Sequence, residues 1–480
     1  MYSNDKLFIV TPESALPTRA PLKMADIDHL LQNVTLDATP ECQTRRKTIR
    51  TCPLEILLHI FLMCRDNVEE RDSLSPIDPT LSHPTLVLSH VCSQWRYLSF
   101  SSPEVWSYIN VKIQDFDDEE SSEVIHQFTL LYLNHSKDRP LDIEFDIIGA
   151  SSFYRGALDR PIWTTLLKHS DRWLNLTLRL RRQDPLVLPR MPLLESLDIT
   201  KDETLYFHSE QLRLGTMTAF QAPNLRHLMV QGHMREHGIS RFFDTKSLTT
   251  LDLCYFDLED LLHILKNATG LLEVTFGFMN PPSAESTIGR VTSNLRTLAA
   301  LGIPSFQSLF SYVTLPSLND LQITSRNNVQ DPQVFYDFLH RSQPPITKFH
   351  FDAKTLSRKK DLVRVLQMMP SISELGYHEE ETVRAFVLSV IKSGDNLPSL
   401  NRLEMYLTCD FDKLAVFSML QERLRRGSSK TGKKLKSFKL QCHPDHLDDE
   451  DDGLKSLQAE GLKVELVLDE TLGDIDDLDF

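Results

Sequence analysis

The segments LPSLNDLQI at residues 315–323 and LPSLNRLEM at residues 397–405 share one pattern of apolar residues. An apolar residue is followed by a second one three positions later and by a third one two positions after that, giving L-x-x-L-x-L. The alternation at the last two positions is typical of a short strand with one buried face. Eight further segments repeat the pattern: 191–199, 222–230, 245–253, 268–276, 292–300, 343–351, 369–377 and 432–440.

The spacing of these segments predicts the architecture. Their leading apolar residues lie 23 to 35 residues apart. Several of the stretches between them, such as LEDLLHILKNA at 258–268, place their apolar residues on one helical face. One strand and one returning helix or loop every 20–29 residues or so is the leucine-rich-repeat signature. We therefore expect an α/β fold, a degenerate right-handed solenoid with a parallel sheet on its concave face.

The composition argues against several classes of function. A formal net charge of −15 over 480 residues disfavours a protein held on nucleic acid by phosphate contacts. No apolar stretch approaches the roughly 18 residues of a membrane span, and the start MYSNDKLFIV lacks the features of a signal peptide. The seven cysteines show no spacing typical of a zinc site. We expect a cytoplasmic or nuclear protein, or both, without a metal or other cofactor.

Two apolar helical stretches precede the repeats. In CPLEILLHIFLMC (52–64), Ile56, Leu57, Ile60 and Phe61 form one stripe, and Pro53 suits a first helical turn. In LSHVCSQWRYLS (88–99), the residues at positions 88, 91, 92 and 95 again fall on one face. Pro103 ends this stretch, and SSPEVWSYINV (101–111) leads into an apolar strand that contains Trp106. A block this short cannot bury both stripes against itself, so part of them should contact something else.

These motifs resemble the F-box, in the version found in fungal F-box/leucine-rich-repeat proteins. The resemblance covers residues 52–106, with Cys52 in place of the usual Leu and a longer loop between the helices. It implies that the block binds a small Skp-type adaptor, which bridges indirectly to a cullin and its RING subunit. The residues to which it assigns adaptor binding are Pro53, Glu55, Ile56, Leu57, Ile60, Phe61, Leu88, Val91, Cys92 and Trp95.

The polar residues of the predicted strands mark a second candidate site. Their mixture of charges and imidazoles suits a protein ligand, an unknown client. A solvated sheet face without a dedicated ligand fits the same residues equally well. The candidate client-binding residues are Asp252, Asp320, His350, Asp352, His378, Arg402 and Glu404.

The resulting domain prediction has a poorly ordered segment at 1–48, the F-box at 49–107, the repeats at 108–468 and an acidic tail at 469–480. The resemblance implies a non-enzymatic substrate adaptor of a Skp–cullin–F-box ubiquitin ligase, because holding a client near the conjugating enzyme requires no bond-making residue. Hydrolase motifs such as HExxH and GxSxG are absent from the sequence. Two alternatives remain: a protein-interaction scaffold that acts outside a cullin ligase, and a receptor that holds a small molecule beneath its protein ligand.

Overall fold

The fold is described from a computed structural model of the chain. The predicted segments 1–48 and 469–480 lie outside the described residues. These are 52–66, 84–114, 119–148, 161–180, 188–201, 221–233, 239, 243–277, 279–280, 289–303, 309–325, 332–352, 354–379, 385–393, 395, 397–407, 411–426, 434–443 and 452–468. The chain divides into two compact units, Met1–Arg139 and Pro140–Phe480.

The first unit is mainly helical. The first helix follows Pro53, whose carbonyl accepts the N–H groups of Ile56 and Leu57 at 3.1 Å. Pro103 begins a 3₁₀ turn, where its missing N–H leaves no hydrogen bond unmade. The described elements are α1 (Leu54–Asp66), α2 (Pro84–Val91), α3 (Ser93–Ser101), the 3₁₀ turn Pro103–Trp106, β1 (Tyr108–Gln114) and α4 (Glu119–Ser136).

Trp106 is at the centre of the first unit's core. It lies in the 3₁₀ turn rather than in the predicted strand, is fully buried, and donates its indole N–H to the carbonyl of Ser99 at 2.7 Å. Its ring packs against Phe100, with 5.3 Å between centroids, and against Tyr132 and His135 of α4 at 5.1 and 4.8 Å. Because α4 covers Trp106, the compact unit extends beyond the predicted boundary at residue 107.

The second unit contains the repeated segments. Its described strands and α-helices are β2 (Leu141–Ile148), α5 (Pro161–Leu167), β3 (Trp173–Leu180), β4 (Ser196–Lys201), β5 (His227–His233), β6 (Thr250–Asp257), α6 (Leu258–Asn267), β7 (Glu273–Phe276), β8 (Met279–Asn280), β9 (Val291–Thr292), β10 (Thr297–Ile303), β11 (Val313–Thr314), β12 (Asp320–Ser325), α7 (Gln333–Ser342), β13 (Lys348–Asp352), α8 (Lys359–Met368), β14 (Glu374–Glu379), α9 (Ala385–Ser393), β15 (Arg402–Leu407), α10 (Lys413–Arg426), β16 (Ser437–Cys442), α11 (Asp452–Ala459) and β17 (Lys463–Leu468).

The strands of this unit form one large sheet in chain order. The order is β2-β3-β4-β5-β6-β7-β10-β12-β13-β14-β15-β16-β17, and every neighbouring pair is parallel. The short strand β8 adds to the end of β6, and β9 pairs with β11 in a separate parallel pair. The predicted α/β fold with a parallel sheet is therefore confirmed. The handedness and the concave face stay predictions.

The leading residues of the repeats form the core beside the sheet. Each is at most 1% exposed: Leu194, Leu225, Leu248, Leu271, Leu295, Leu318, Ile346, Ile372, Leu400 and Leu435. The residue that follows the leading residue in each segment fixes the register between neighbouring strands. The carbonyl of Asn319 accepts the N–H groups of Thr347 and Lys348 at 2.9 and 3.1 Å, and the carbonyl of Thr347 accepts those of Ser373 and Glu374. The same pair of bonds recurs in every repeat from Glu195 to Asn401, so equivalent residues of successive repeats lie side by side.

Candidate functional site

Three helices of the first unit expose an unusual amount of apolar surface. Of the ten large apolar side chains that are exposed in the described part of the chain, seven lie on α1, α2 and α3. Helix α1 contacts both other helices, and α2 and α3 are separated only by Cys92. We call this set the helical face; it consists of Leu54, Ile56, Ile60, Met63, Val87, Val91 and Tyr97.

A second apolar layer holds these helices together from inside. Leu57 and Phe61 lie four residues apart on the inner side of α1 and are 2% and 0% exposed. The ring of Phe61 meets the ring of Trp95 edge-on, with 5.0 Å between centroids. At the end of α1, Arg65 donates to the carbonyl of Glu104 at 2.8 Å and to the hydroxyl of Ser107 at 3.2 Å. Helix α1 is thus apolar on two sides, and the described residues of the unit cover only one of them.

The predicted adaptor-binding residues fall into three groups: six are exposed, one is half-buried and three are buried. Pro53, Glu55, Ile56, Ile60, Val91 and Cys92 are exposed and available to a partner, and Trp95 is half-buried against Phe61.

Leu57, Phe61 and Leu88 are buried within the unit. The prediction of direct contact with a partner is corrected for these three residues: they position the helices instead. Sequence reasoning missed Leu54, Met63, Val87 and Tyr97. For Met63 and Val87 the signal was i+3 or i+4 spacing from the exposed Ile60 and Val91, whereas no such spacing marks Leu54 and Tyr97.

The polar side of the large sheet carries the second candidate surface. Strand register places Asp320, Lys348, Glu374 and Arg402 in one row across β12 to β15. A second row two residues further along contains His350, Gly376, Glu404 and Lys439. We call eight of the residues on this side of β12 to β16 the sheet patch. Its members are Asp320, Lys348, His350, Glu374, Arg402, Glu404, Tyr406 and Lys439.

Glu404 is the most strongly held group of the sheet patch. It is 4% exposed and accepts hydrogen bonds from Nε of Arg402 and from the hydroxyl of Tyr406, both at 2.7 Å. Burial by itself would raise the pKa of Glu404, but the bonds from Tyr406 and Arg402 outweigh burial and hold it below its ordinary value. Burial and the bond to Glu404 together raise the pKa of Tyr406. Glu404 is therefore an ionised, oriented carboxylate in a largely dry position.

His350 and Glu374 lie next to this carboxylate. Nε2 of His350 is 3.7 Å from a carboxylate oxygen of Glu374, and Nζ of Lys348 is 3.9 Å from the other. The imidazole of His350 rests over Gly376: a Cβ at Gly376 would lie 2.3 Å from its Nδ1. The glycine therefore provides the space in which the imidazole turns towards the two glutamates.

The remaining predicted client-binding residues differ in their surroundings. Burial raises the pKa of Asp320, an effect partly offset by Lys348, and His378 stacks on Tyr406 with 6.3 Å between ring centroids. Asp252 is half-buried on β6, where burial and the charge of Asp198 raise its pKa.

Asp352 is corrected from a client contact to a structural residue. Its carboxylate is 7% exposed and accepts the backbone N–H groups of Ser325 and Thr355, both at 2.6 Å. These two bonds tie the end of β12 to the turn that follows β13, which leaves little of the side chain for a ligand.

No protein-family model matches the chain, and a search of curated proteins returned no significant match. Among the described helices, none combines the length and the apolar composition needed to cross a bilayer.

Proposed function

We propose that the chain is a substrate-recognition adaptor of a Skp–cullin–F-box ubiquitin ligase. The observation that carries the proposal is the helical face. Three short helices leave apolar side chains exposed at or beside the positions to which the F-box resemblance assigns adaptor binding, with Ile56 52%, Ile60 40% and Val91 48% exposed. A cluster of exposed apolar side chains on three helices that contact one another marks an interaction site.

The exposed apolar side chains of α1, α2 and α3 suit binding to an apolar groove or to a pair of helices on another protein. Full burial of an exposed side chain of this size contributes about 1.5–3 kcal/mol. These side chains are 40–70% exposed, so each contributes roughly 1 kcal/mol when a partner covers it, and several together support a stable contact. The inner layer of Leu57, Phe61 and Trp95 fixes the helices that present these side chains, which limits the ordering cost of binding. A Skp-type adaptor is the partner that the F-box resemblance implies.

The second unit supplies the client-binding end of the proposed adaptor. Its regular strand-and-crossover segments support the interpretation as leucine-rich repeats, and its sheet patch presents oriented carboxylates, cations and aromatic rings to a protein ligand. Recruitment of the client to a loaded conjugating enzyme raises its effective concentration there. In this proposal the chain itself makes and breaks no bond.

Affinity purification of the tagged full chain tests the proposal. The wild type is compared with Ile56→Asp/Ile60→Asp, which places two charges on the helical face, and with Leu414→Asp, which changes a side chain of α10 that is 79% exposed. We expect the wild type and Leu414→Asp to recover a Skp-type adaptor, a cullin and its RING subunit. The double variant should lose all three while its clients are retained.

Three results would redirect the interpretation. Absence of a Skp-type adaptor from the wild-type sample, or its full recovery with the double variant, contradicts the proposed docking face. Recovery of the adaptor without a cullin supports the alternative, a leucine-rich-repeat scaffold that acts outside a cullin ligase.

A further inference from the structure

Three potential metal ligands converge on the sheet patch. His350, Glu374 and Glu404 each offer one ligand atom, and these atoms all lie within 4.8 Å of one another. The three residues come from three neighbouring strands, β13, β14 and β15, whose parallel register is continuous. Their positions are therefore set by the sheet rather than by a surface loop. His350 and Glu374 are partly exposed, whereas Glu404 is buried.

The separation of the donor atoms is close to that in a metal site. Two ligands of one tetrahedral zinc ion, each about 2.0–2.2 Å from the metal, lie about 3.4 Å apart. Nε2 of His350 and the nearer oxygen of Glu374 are 3.7 Å apart. A separation of 3.7 Å is too long for a hydrogen bond between the two groups but leaves room for an ion that both coordinate.

Gly376 is a second feature of the arrangement. It lies between His350 and Glu404 in the strand register, and its missing side chain is what allows the imidazole to rest on β14. A Cβ there would meet three ring atoms of His350 at 2.3 to 2.8 Å. Any other residue at this position would push the imidazole away from the glutamates.

The existing partners of the three groups leave coordination capacity. Glu404 accepts bonds from Arg402 and Tyr406, but each carboxylate oxygen can accept more than one partner. Arg402 and Tyr406 would then orient the carboxylate, as hydrogen-bonded neighbours of metal ligands generally do. Lys348 faces Glu374 from 3.9 Å and is 46% exposed, so it can swing into solvent. Of the two cationic side chains beside the glutamates, Arg402 therefore orients a metal ligand, and Lys348 can move away when an ion binds.

We propose that His350, Glu374 and Glu404 bind a divalent transition-metal ion, with zinc as the best fit. One imidazole and two carboxylates are donors that suit zinc, whereas calcium and magnesium prefer an all-oxygen set. Three protein ligands leave at least one coordination position open on the ion. The proposal does not depend on the function proposed above.

Spacing analysis of the sequence could not reveal this site. The three ligands are separated by 24 and 30 residues, far from the short spacings of zinc motifs. Three successive repeats contribute one ligand each, and only the register of the sheet brings these three side chains together. The sequence-based expectation of no metal rested on the absence of such short motifs.

Zinc competition against a chromophoric chelator tests the proposal with the full chain. The variants are His350→Gln and Glu374→Gln, and the matched controls are His227→Gln on β5 and Glu273→Gln on β7, which remove the same groups from exposed positions of the same sheet. Circular dichroism establishes that each variant is folded. We expect one zinc equivalent per wild-type chain, affinity at least about tenfold weaker in both site variants, and unchanged affinity in the controls.

Three results would overturn the proposal. The first is that the wild type binds no zinc. The second is that folded His350→Gln and Glu374→Gln bind zinc as tightly as the wild type. The third is that zinc affinity falls as much in the control variants as in the site variants. Undiminished uptake in the site variants would place the ion elsewhere, for example on the exposed thiols of Cys64 and Cys92. If Glu374→Gln fails to fold, His350→Gln decides the question alone.

Discussion

Carboxylates of the sheet that look equivalent in sequence have different roles at the scale of single residues. Asp352 is buried and accepts two backbone N–H groups, so its side chain is part of the fold. Asp252 is half-buried, and none of the described residues donates a hydrogen bond to its carboxylate. A polar residue on a predicted strand therefore indicates a possible contact with a ligand, but its hydrogen bonds decide whether that contact is available.

Replacing Asp352 tests its structural role. Asp352→Ala leaves the N–H groups of Ser325 and Thr355 buried without an acceptor, and each unsatisfied group costs about 1–3 kcal/mol. We expect the free energy of unfolding, measured by urea denaturation of the full chain, to fall by at least about 2 kcal/mol. Asp352→Asn keeps one acceptor oxygen, the amide carbonyl, so its free energy of unfolding should fall less than that of Asp352→Ala. A loss below about 0.5 kcal/mol in Asp352→Ala, the range of ordinary surface substitutions, would contradict the assignment.

Asp252 should respond to pH in the opposite sense from an ion-paired carboxylate. Because burial raises its pKa in the folded state, the folded chain binds more protons than the unfolded chain between about pH 3.9 and that raised value. Its contribution to stability therefore falls as the pH rises through this window. We expect Asp252→Asn to be more stable than the wild type at pH 7, by a few tenths of a kcal/mol because solvent screens this half-exposed group, with the difference shrinking towards pH 4. A difference that grows on acidification would show that the sign is wrong.

At the scale of elements, the packing of the His350 ring of β13 against β14 depends on the missing side chain of Gly376. The ring of His350 occupies the space that a Cβ of residue 376 would take, so the imidazole lies against β14 within the sheet patch.

Helix α1 also shows that packing partners decide what a residue does, since its apolar residues belong to two sides. The sequence predicts the helix, but the division into Leu57 and Phe61 inside and Ile56 and Ile60 outside depends on which neighbours cover it.

Substitution of Gly376 measures the cost of this approach. In Gly376→Ala the added methyl group meets the His350 ring, and we expect a loss of about 1–3 kcal/mol in the free energy of unfolding, typical of overpacking. The loss should be much smaller when His350→Ala is already present, which a double-mutant cycle measures. Gly289→Ala is the control, because nothing lies within 4 Å of its added Cβ. Equal losses in both backgrounds would exclude the ring as the cause.

At the scale of the whole molecule, the periodic positions were predictable and the surfaces were not. All ten leading residues of the repeats are buried, and the parallel sheet follows chain order, as a fixed apolar pattern with regular spacing predicts. The packing of α4 on Trp106 was not predictable, because nothing local to residues 119–136 indicates which residue that helix covers. The convergence of His350, Glu374 and Glu404 was hidden for the same reason: contacts across repeats leave no mark in local spacing.

The exposed apolar residues of α1 to α3 are the basis of the central claim, and a direct titration tests it most simply. A purified Skp-type adaptor is titrated calorimetrically into the full chain, into Ile56→Asp/Ile60→Asp and into Leu414→Asp. We predict one adaptor per wild-type chain, affinity at least about thirtyfold weaker in the double variant, as for loss of a binding hot spot, and wild-type affinity for Leu414→Asp. Absence of binding by the wild type, or equal affinity of a folded double variant, would contradict the account.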